Sequence, residues 1–257
     1  MPINEPGKVY LVGAGPGAPD LLTLRAARLL ESAHIVFYDA LVQPAIVALA
    51  GNAEKIAVGK RCGRHSTAQR FINKRLIDAA HKHAIVVRLK GGDPMLFGRA
   101  QEEIDALRSA GIQCEIVPGI TAALSASADL GISLTRRGMS RSVAFVTPRV
   151  GAGEDASGWI KTVRSADSTV LYMAAGRAAA IASTLIANGL PADLPVMIVE
   201  NASLPNIVTS AMTLGELASS PRPIAQNGPA SIMIGRVFAR DRKQGLRTRA
   251  PRLDRAA

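Results

Sequence analysis

"VYLVGAGPGAPDLLTL", residues 9–24, carries an apolar run into a glycine-rich turn and on towards an amphipathic stretch. Val9 to Val12 read as a short buried strand, and Gly13, Gly15 and Ala18 follow in the order G-x-G-x-x-A. Asp39 closes the next apolar run about 20 residues on, where a dinucleotide fold holds its ribose. The turn argues against that ligand. A pyrophosphate needs the amides of a helix that begins at the second glycine, yet Pro16 and Pro19 flank that point and Pro16 removes a donor. Asp20 is the expected N-cap of LLTLRAARLL, which moves the helix away from the glycines.

Outward from this stretch, strand-like and helix-like segments alternate up to about residue 135. Apolar runs stand at Val9 to Val12, Ile35 to Tyr38, Lys55 to Val58, Ile85 to Leu89 and Glu115 to Val117. Amphipathic stretches such as LLTLRAARLLES and FINKRLIDAAHKH lie between most of them. Short continuous apolar strands joined by helices predict a parallel sheet covered on both faces, with ligand loops at the carboxyl ends of the strands. The second half reads as a mixed α/β domain. Strand candidates at 142–147, 168–173, 195–201, 207–212 and 231–237 surround one clear helix, RAAAIASTLIANG, and two successive strands joined by a short turn predict antiparallel pairing. The polar, glycine-bearing 135–142 is the expected hinge. The domains are therefore 1–135, 136–240 and a basic tail, 241–257.

The 257 residues carry a net charge of +11, unevenly spread. Residues 238–257 hold seven Arg or Lys against two Asp, a net of +5, with little apolar content, and are expected to be disordered. The remaining +6 gives the body a preference for anionic partners. A basic nucleic-acid-binding protein without catalysis is one reading of that charge, although aromatic residues are only 4% and no binding motif is present. No apolar run reaches the roughly 20 residues that a bilayer requires. MPINEPGK lacks the blocks of a secretory signal, and Cys62 and Cys114 lie too far apart to make a disulfide framework or zinc knuckle. A soluble protein of a reducing cytoplasm is expected.

Three glycine-bearing turns share one address. The VGAGPG turn, RLKGGDPMLFGRAQEE (88–103) and VPGITAALSASA (117–128) each lead from a strand into a helix and converge on one sheet edge. Gly91 and Gly92 allow close approach of a ligand to backbone, Asp93 is a fixed acceptor, and Thr121 stands near a helix start. Asp39 and Lys60 follow the second and third strands, so an acid and an amine face the same edge, either to exchange protons or to pair with each other. His34, His65, His81 and His83 form no metal cluster, and no serine sits in a nucleophile elbow.

The succession VGAGPGAPDLLTLRA, YDALV, VGKR, RLKGGDPMLFGR, VPGITAA, LYM and VENASLP, from about Lys8 to Val237, resembles the uroporphyrinogen-III C-methyltransferases of the tetrapyrrole methylase family. The resemblance implies a two-domain tetrapyrrole methylase fold with the active site in the cleft between the domains. It implies S-adenosylmethionine as cofactor, S-adenosylhomocysteine as product and no metal. Pro16, Gly91, Gly92, Asp93, Leu96, Thr121 and Ala122 then contact the cofactor, joined by Met173 and Ala202 from the second domain. By the same resemblance Asp39 is the proton acceptor, Lys60 the donor, and Arg99 a further catalytic or substrate-steering candidate. The implied reaction methylates C2 and C7 of uroporphyrinogen III in turn to give precorrin-2, feeding sirohaem, cobalamin or haem d1. The implied state is a homodimer without membrane or nucleic-acid partners. Arg61, Arg64, Arg99, Arg136, Arg137 and Arg149 are candidates for the substrate's eight carboxylates. Departures from the family pattern fall at Ala202-Ser203-Leu204, where many members read GTL or GTS, at Thr135-Arg136-Arg137, at Pro148-Arg149 and at Gln101. Another tetrapyrrole or RNA methyltransferase of the same fold, and a nicotinamide dehydrogenase, are the rival enzymes.

Overall fold

The computed structural model describes residues 5–59, 69–149, 157–220 and 228–239. The chain divides into two compact units, Met1–Ser125 and Ala126–Ala257. Calls on Lys60, Arg61, Cys62, Arg64, His65 and the tail lie outside the described residues.

The first unit runs β1 (Lys8–Gly13), α1 (Leu24–Ser32), β2 (Ile35–Tyr38), α2 (Pro44–Val47), β3 (Glu54–Ala57), α3 (Gln69–Ala80), β4 (Ile85–Lys90), α4 (Ala100–Ser109), β5 (Cys114–Val117) and the start of α5 (Ala122–Leu130). Its strands lie in the order β3-β2-β4-β1-β5, every pair parallel. Alternate side chains feed two cores. Val9, Leu11, Phe37 and Val86 pack with Ile72 and Leu76 of α3 and Ile104 and Leu107 of α4. Val12, Val36, Val87 and Leu89 pack with Ala26 and Leu30 of α1 and Ile46 of α2. Helices thus cover both faces, as the continuous apolar strands require.

One local expectation is corrected. Asp20 does not cap α1; Thr23 does, its Oγ1 accepting from the Ala26 amide at 3.1 Å. Pro19 starts a single 3-10 turn, Pro19–Leu21, that takes Asp20 into itself, so the α-helix begins only after a second break.

The second unit contains β6 (Val143–Val146), α6 (Gly158–Ser165), β7 (Ser168–Leu171), α7 (Ala178–Ala187), β8 (Pro195–Glu200), β9 (Val208–Thr213), α8 (Leu214–Ala218) and β10 (Ala230–Gly235). The sheet order is β6-β7-β10-β8-β9, with β6 and β7 parallel and the other pairs antiparallel. α6 and α8 join the one helix expected here. The stretch 135–142 forms a tight turn: Arg136 and Ser140 exchange backbone hydrogen bonds of 3.0 and 2.8 Å, and the Ser140 and Ser168 hydroxyls meet at 2.9 Å.

Candidate functional site

Parallel strands end on one edge, and because β1 lies between β4 and β5, the three glycine turns are brought together there. Gly15 and Gly92 pair as an isolated antiparallel bridge, with N to O distances of 3.1 and 2.8 Å. The Asp93 carboxylate ties the third turn in. Its Oδ2 accepts from the Gly119 amide at 2.9 Å and its Oδ1 from the Met95 amide at 2.8 Å. A Cβ on Gly13 would lie 2.6 Å from Gly119 Cα and 2.8 Å from the Gly92 carbonyl oxygen, so the turns touch backbone to backbone. Pro16 adjoins this knot half-buried, as do Gly91 and Leu96; Thr121 is buried, and Ala122 opens α5.

A Cβ on Gly92 would meet nothing nearer than Thr121 Cα at 3.9 Å, which leaves space beside this backbone. α1 begins only at Leu24, so its amide terminus is displaced in sequence from Gly15, unlike a dinucleotide turn.

Asp39 follows β2 on the same edge, its side chain 28% exposed. It pairs with Arg88, whose Nη2 lies 2.5 Å from Asp39 Oδ1. Arg88 sits on β4 beside Phe37 and is 2% exposed. Its Nε donates to Glu103 Oε1 at 3.0 Å, and Lys90 Nζ donates to Glu103 Oε2 at 2.9 Å. Glu103, from the first turn of α4, is fully buried. Burial opposes the Arg88 charge, but Asp39 and Glu103 outweigh it and raise its pKa; burial, helped by Arg88, lowers that of Lys90. Gln69 of α3 also donates to Glu103, at 3.2 Å. The sequence pattern by itself singles out none of Arg88, Lys90 and Glu103. Charges at alternate positions of an apolar strand, VVRLK, were the available signal, since only a paired charge survives there.

Arg99 is exposed and bonded twice to Glu102, Nε to Oε1 at 2.7 Å and Nη2 to Oε2 at 2.8 Å. The hydrogen bond raises the Arg99 pKa and lowers that of Glu102. Arg136, Arg137 and Arg149 are exposed.

β6, β7 and β8 run in the same direction, so Met173 and Ala202 stand beyond one edge of the second sheet. Met173 is 52% exposed; Ala202 is buried between Asn201 and Ser203. Among the described residues, the non-glycine residues at positive φ are Phe97, Arg99, Met173, Asn201 and Ser203. All five stand in the turns after β4, β7 and β8, in a conformation uncommon for non-glycine residues. Ala202 itself is not among them, so its replacement of a glycine costs no backbone strain. Among the described residues no group of three His, Cys, Asp or Glu is placed to hold a metal ion, and no helix is long and apolar enough to cross a membrane. Cys114 is a free thiol, its pKa pushed by burial to about 11.

A parallel sheet with knotted glycine turns, followed by a mixed sheet, places the protein in a family: the chain belongs to the tetrapyrrole (corrin/porphyrin) methylases, whose signature spans residues 8–218. It is 45% identical over 231 residues to a uroporphyrinogen-III C-methyltransferase of Pseudomonas aeruginosa, covering 90% of this chain and 94% of that one. It is 43% identical over 240 residues to a sirohaem synthase of Pseudomonas putida, covering 92% of this chain but only 51% of that protein. The crystal structure of a uroporphyrin-III C-methyltransferase from Thermus thermophilus in complex with S-adenosylhomocysteine is 39% identical, with a TM-score of 0.77 over 90% of this chain and 98% of that one.

Proposed function

We propose that the chain is an S-adenosylmethionine-dependent uroporphyrinogen-III C-methyltransferase that methylates C2 and C7 in turn to yield precorrin-2. The observation that carries this reading is the 45% identity to a C-methyltransferase of that name across nearly the full length of both chains. The bound cofactor would supply an already activated methyl group on a sulfonium. Turns 13–16, 91–96 and 119–122 would hold it through backbone and apolar contacts. Because the acceptor is an electron-rich pyrrole carbon, the protein's own work is to align it for attack and to manage a proton. Asp39 accepts that proton and Lys60 donates one. Arg99 steers a substrate carboxylate, sharing its charge with Glu102 until substrate arrives. The basic body gives the octa-acid substrate a favourable approach. A cytoplasmic homodimer is the working form.

Labelled methyl transfer to uroporphyrinogen III, to later precorrins and to ribosomal RNA tests the substrate. The expected result is two methyl groups per uroporphyrinogen III and none on the other acceptors. Preferred methylation of a precorrin or of RNA would move the chain to another branch of the fold.

A further inference from the structure

Arg88, Lys90, Glu103 and Asp39 form one connected group of two cations and two carboxylates, neutral only with Asp39 counted as a carboxylate. Three of the four are at most 3% exposed, and Asp39 alone reaches the rim. Glu103 lies inside the core and compensates one of the two cations, and the second arm of Arg88 reaches out of the core to a carboxylate that water also solvates. The remaining nitrogen, Nη1, makes longer contacts to the carbonyl of Phe37 in β2 at 3.4 Å and to that of Leu89 in β4 at 3.3 Å, the carbonyl that also accepts from the Asp39 amide. The planar guanidinium therefore fixes both the strand end and one oxygen of its side chain. Among the described residues, Asp39 Oδ2 takes no hydrogen bond.

We propose that Arg88 is a positioning residue for methyl transfer: clamped in the core by Glu103, it pins Asp39 Oδ1 so that Oδ2 is presented for proton acceptance. The inference rests on the reading of Asp39 as the acceptor. Arg88 touches no substrate and acts only through that carboxylate. Its burial makes the clamp stiff, because the fork cannot swing to water, and Lys90 holds the other oxygen of Glu103 so that Glu103 cannot turn away either.

The test compares Arg88→Lys and Arg88→Met with the parent as full chains. Turnover per S-adenosylhomocysteine-binding site, KM for uroporphyrinogen III, S-adenosylhomocysteine affinity and thermal unfolding are measured for each. Lysine keeps the cation but has no fork to hold Glu103 and Asp39 together. The expected result is kcat lower by about 10-fold in Arg88→Lys and about 100-fold in Arg88→Met, with KM and cofactor-product affinity within about 3-fold of the parent. A fall in unfolding temperature with kcat per binding site unchanged would show a structural role and overturn the proposal. Should Arg88→Met not fold, Arg88→Lys decides alone, and an unchanged kcat there overturns the proposal. Asp39→Ala run in parallel separates the two readings. An inactive Asp39→Ala beside a fully active Arg88→Lys removes only the clamp, whereas a fully active Asp39→Ala removes the acceptor and the clamp with it.

Discussion

At the scale of single residues, an added methyl group distinguishes two kinds of glycine in the turns. Gly13 has no room, because its Cβ would press on the Gly119 and Gly92 backbones, which cannot rotate away. Gly13→Ala is expected to cost about 1–3 kcal/mol in urea unfolding and to loosen the binding of S-adenosylhomocysteine. Gly92 has room but a φ of +69°, so Gly92→Ala should cost about 1–2 kcal/mol through backbone conformation alone. Gly92→Val adds a branched side chain to the open space and is expected to abolish S-adenosylhomocysteine binding. An unchanged titration in that variant would place the ligand elsewhere. Asp39→Ala should lower turnover at least ~100-fold while leaving S-adenosylhomocysteine affinity within a few-fold, as its proposed role as proton acceptor requires. The glycine turns and Asp39 were legible in the sequence because their residue types are narrow: few side chains tolerate such backbone, and few acids end a buried strand. Arg88 was not, because an arginine in an apolar strand reads as an irregularity until the two carboxylates that neutralise it are known.

At the scale of elements, the five parallel strands fell within one residue of the apolar runs that announce them; the central strands β1, β2 and β4 are covered on both faces and have no polar alternation to blur their ends. Short helices were harder. α8 has five residues, too few for an amphipathic period, yet its Thr213-x-x-Glu216 capping box is written in the sequence and is fully formed. α1 shows the converse, two acceptable caps in succession of which Thr23 is used. Thr23→Ala should therefore cost about 1 kcal/mol, and Asp20→Ala much less, measured by chemical unfolding. Asp167 accepts from the Arg141 and Ser142 amides and the Ser142 hydroxyl, and these bonds hold its pKa below the ordinary aspartate value. A folded pKa below the unfolded one contributes stability above about pH 4 that is lost as pH falls through the folded value. The destabilisation caused by Asp167→Asn at pH 7 is thus expected to shrink steadily below pH 4. A difference independent of pH would mean that the turn does not need the carboxylate charge.

At the scale of the whole molecule, each unit ends several parallel-running strands on one edge, and it is at these edges that the glycine turns and strained residues collect. β-α-β grammar made the strands of the first unit legible. The second needed coordinates, because strand order in a mixed sheet depends on pairings that no local pattern records: β10, the last strand, lies in the middle between β7 and β8. The proposed substrate belongs to this scale too, since that reading rests on likeness along the whole chain and not on any one turn. The central claim is narrower, that the turns closing β1, β4 and β5 make a seat for an adenosyl ligand without phosphates. Isothermal titration of the full chain with S-adenosylhomocysteine, and separately with NAD, tests it most directly. One S-adenosylhomocysteine per chain and no heat from NAD is the predicted result; saturable NAD binding without S-adenosylhomocysteine binding would contradict it.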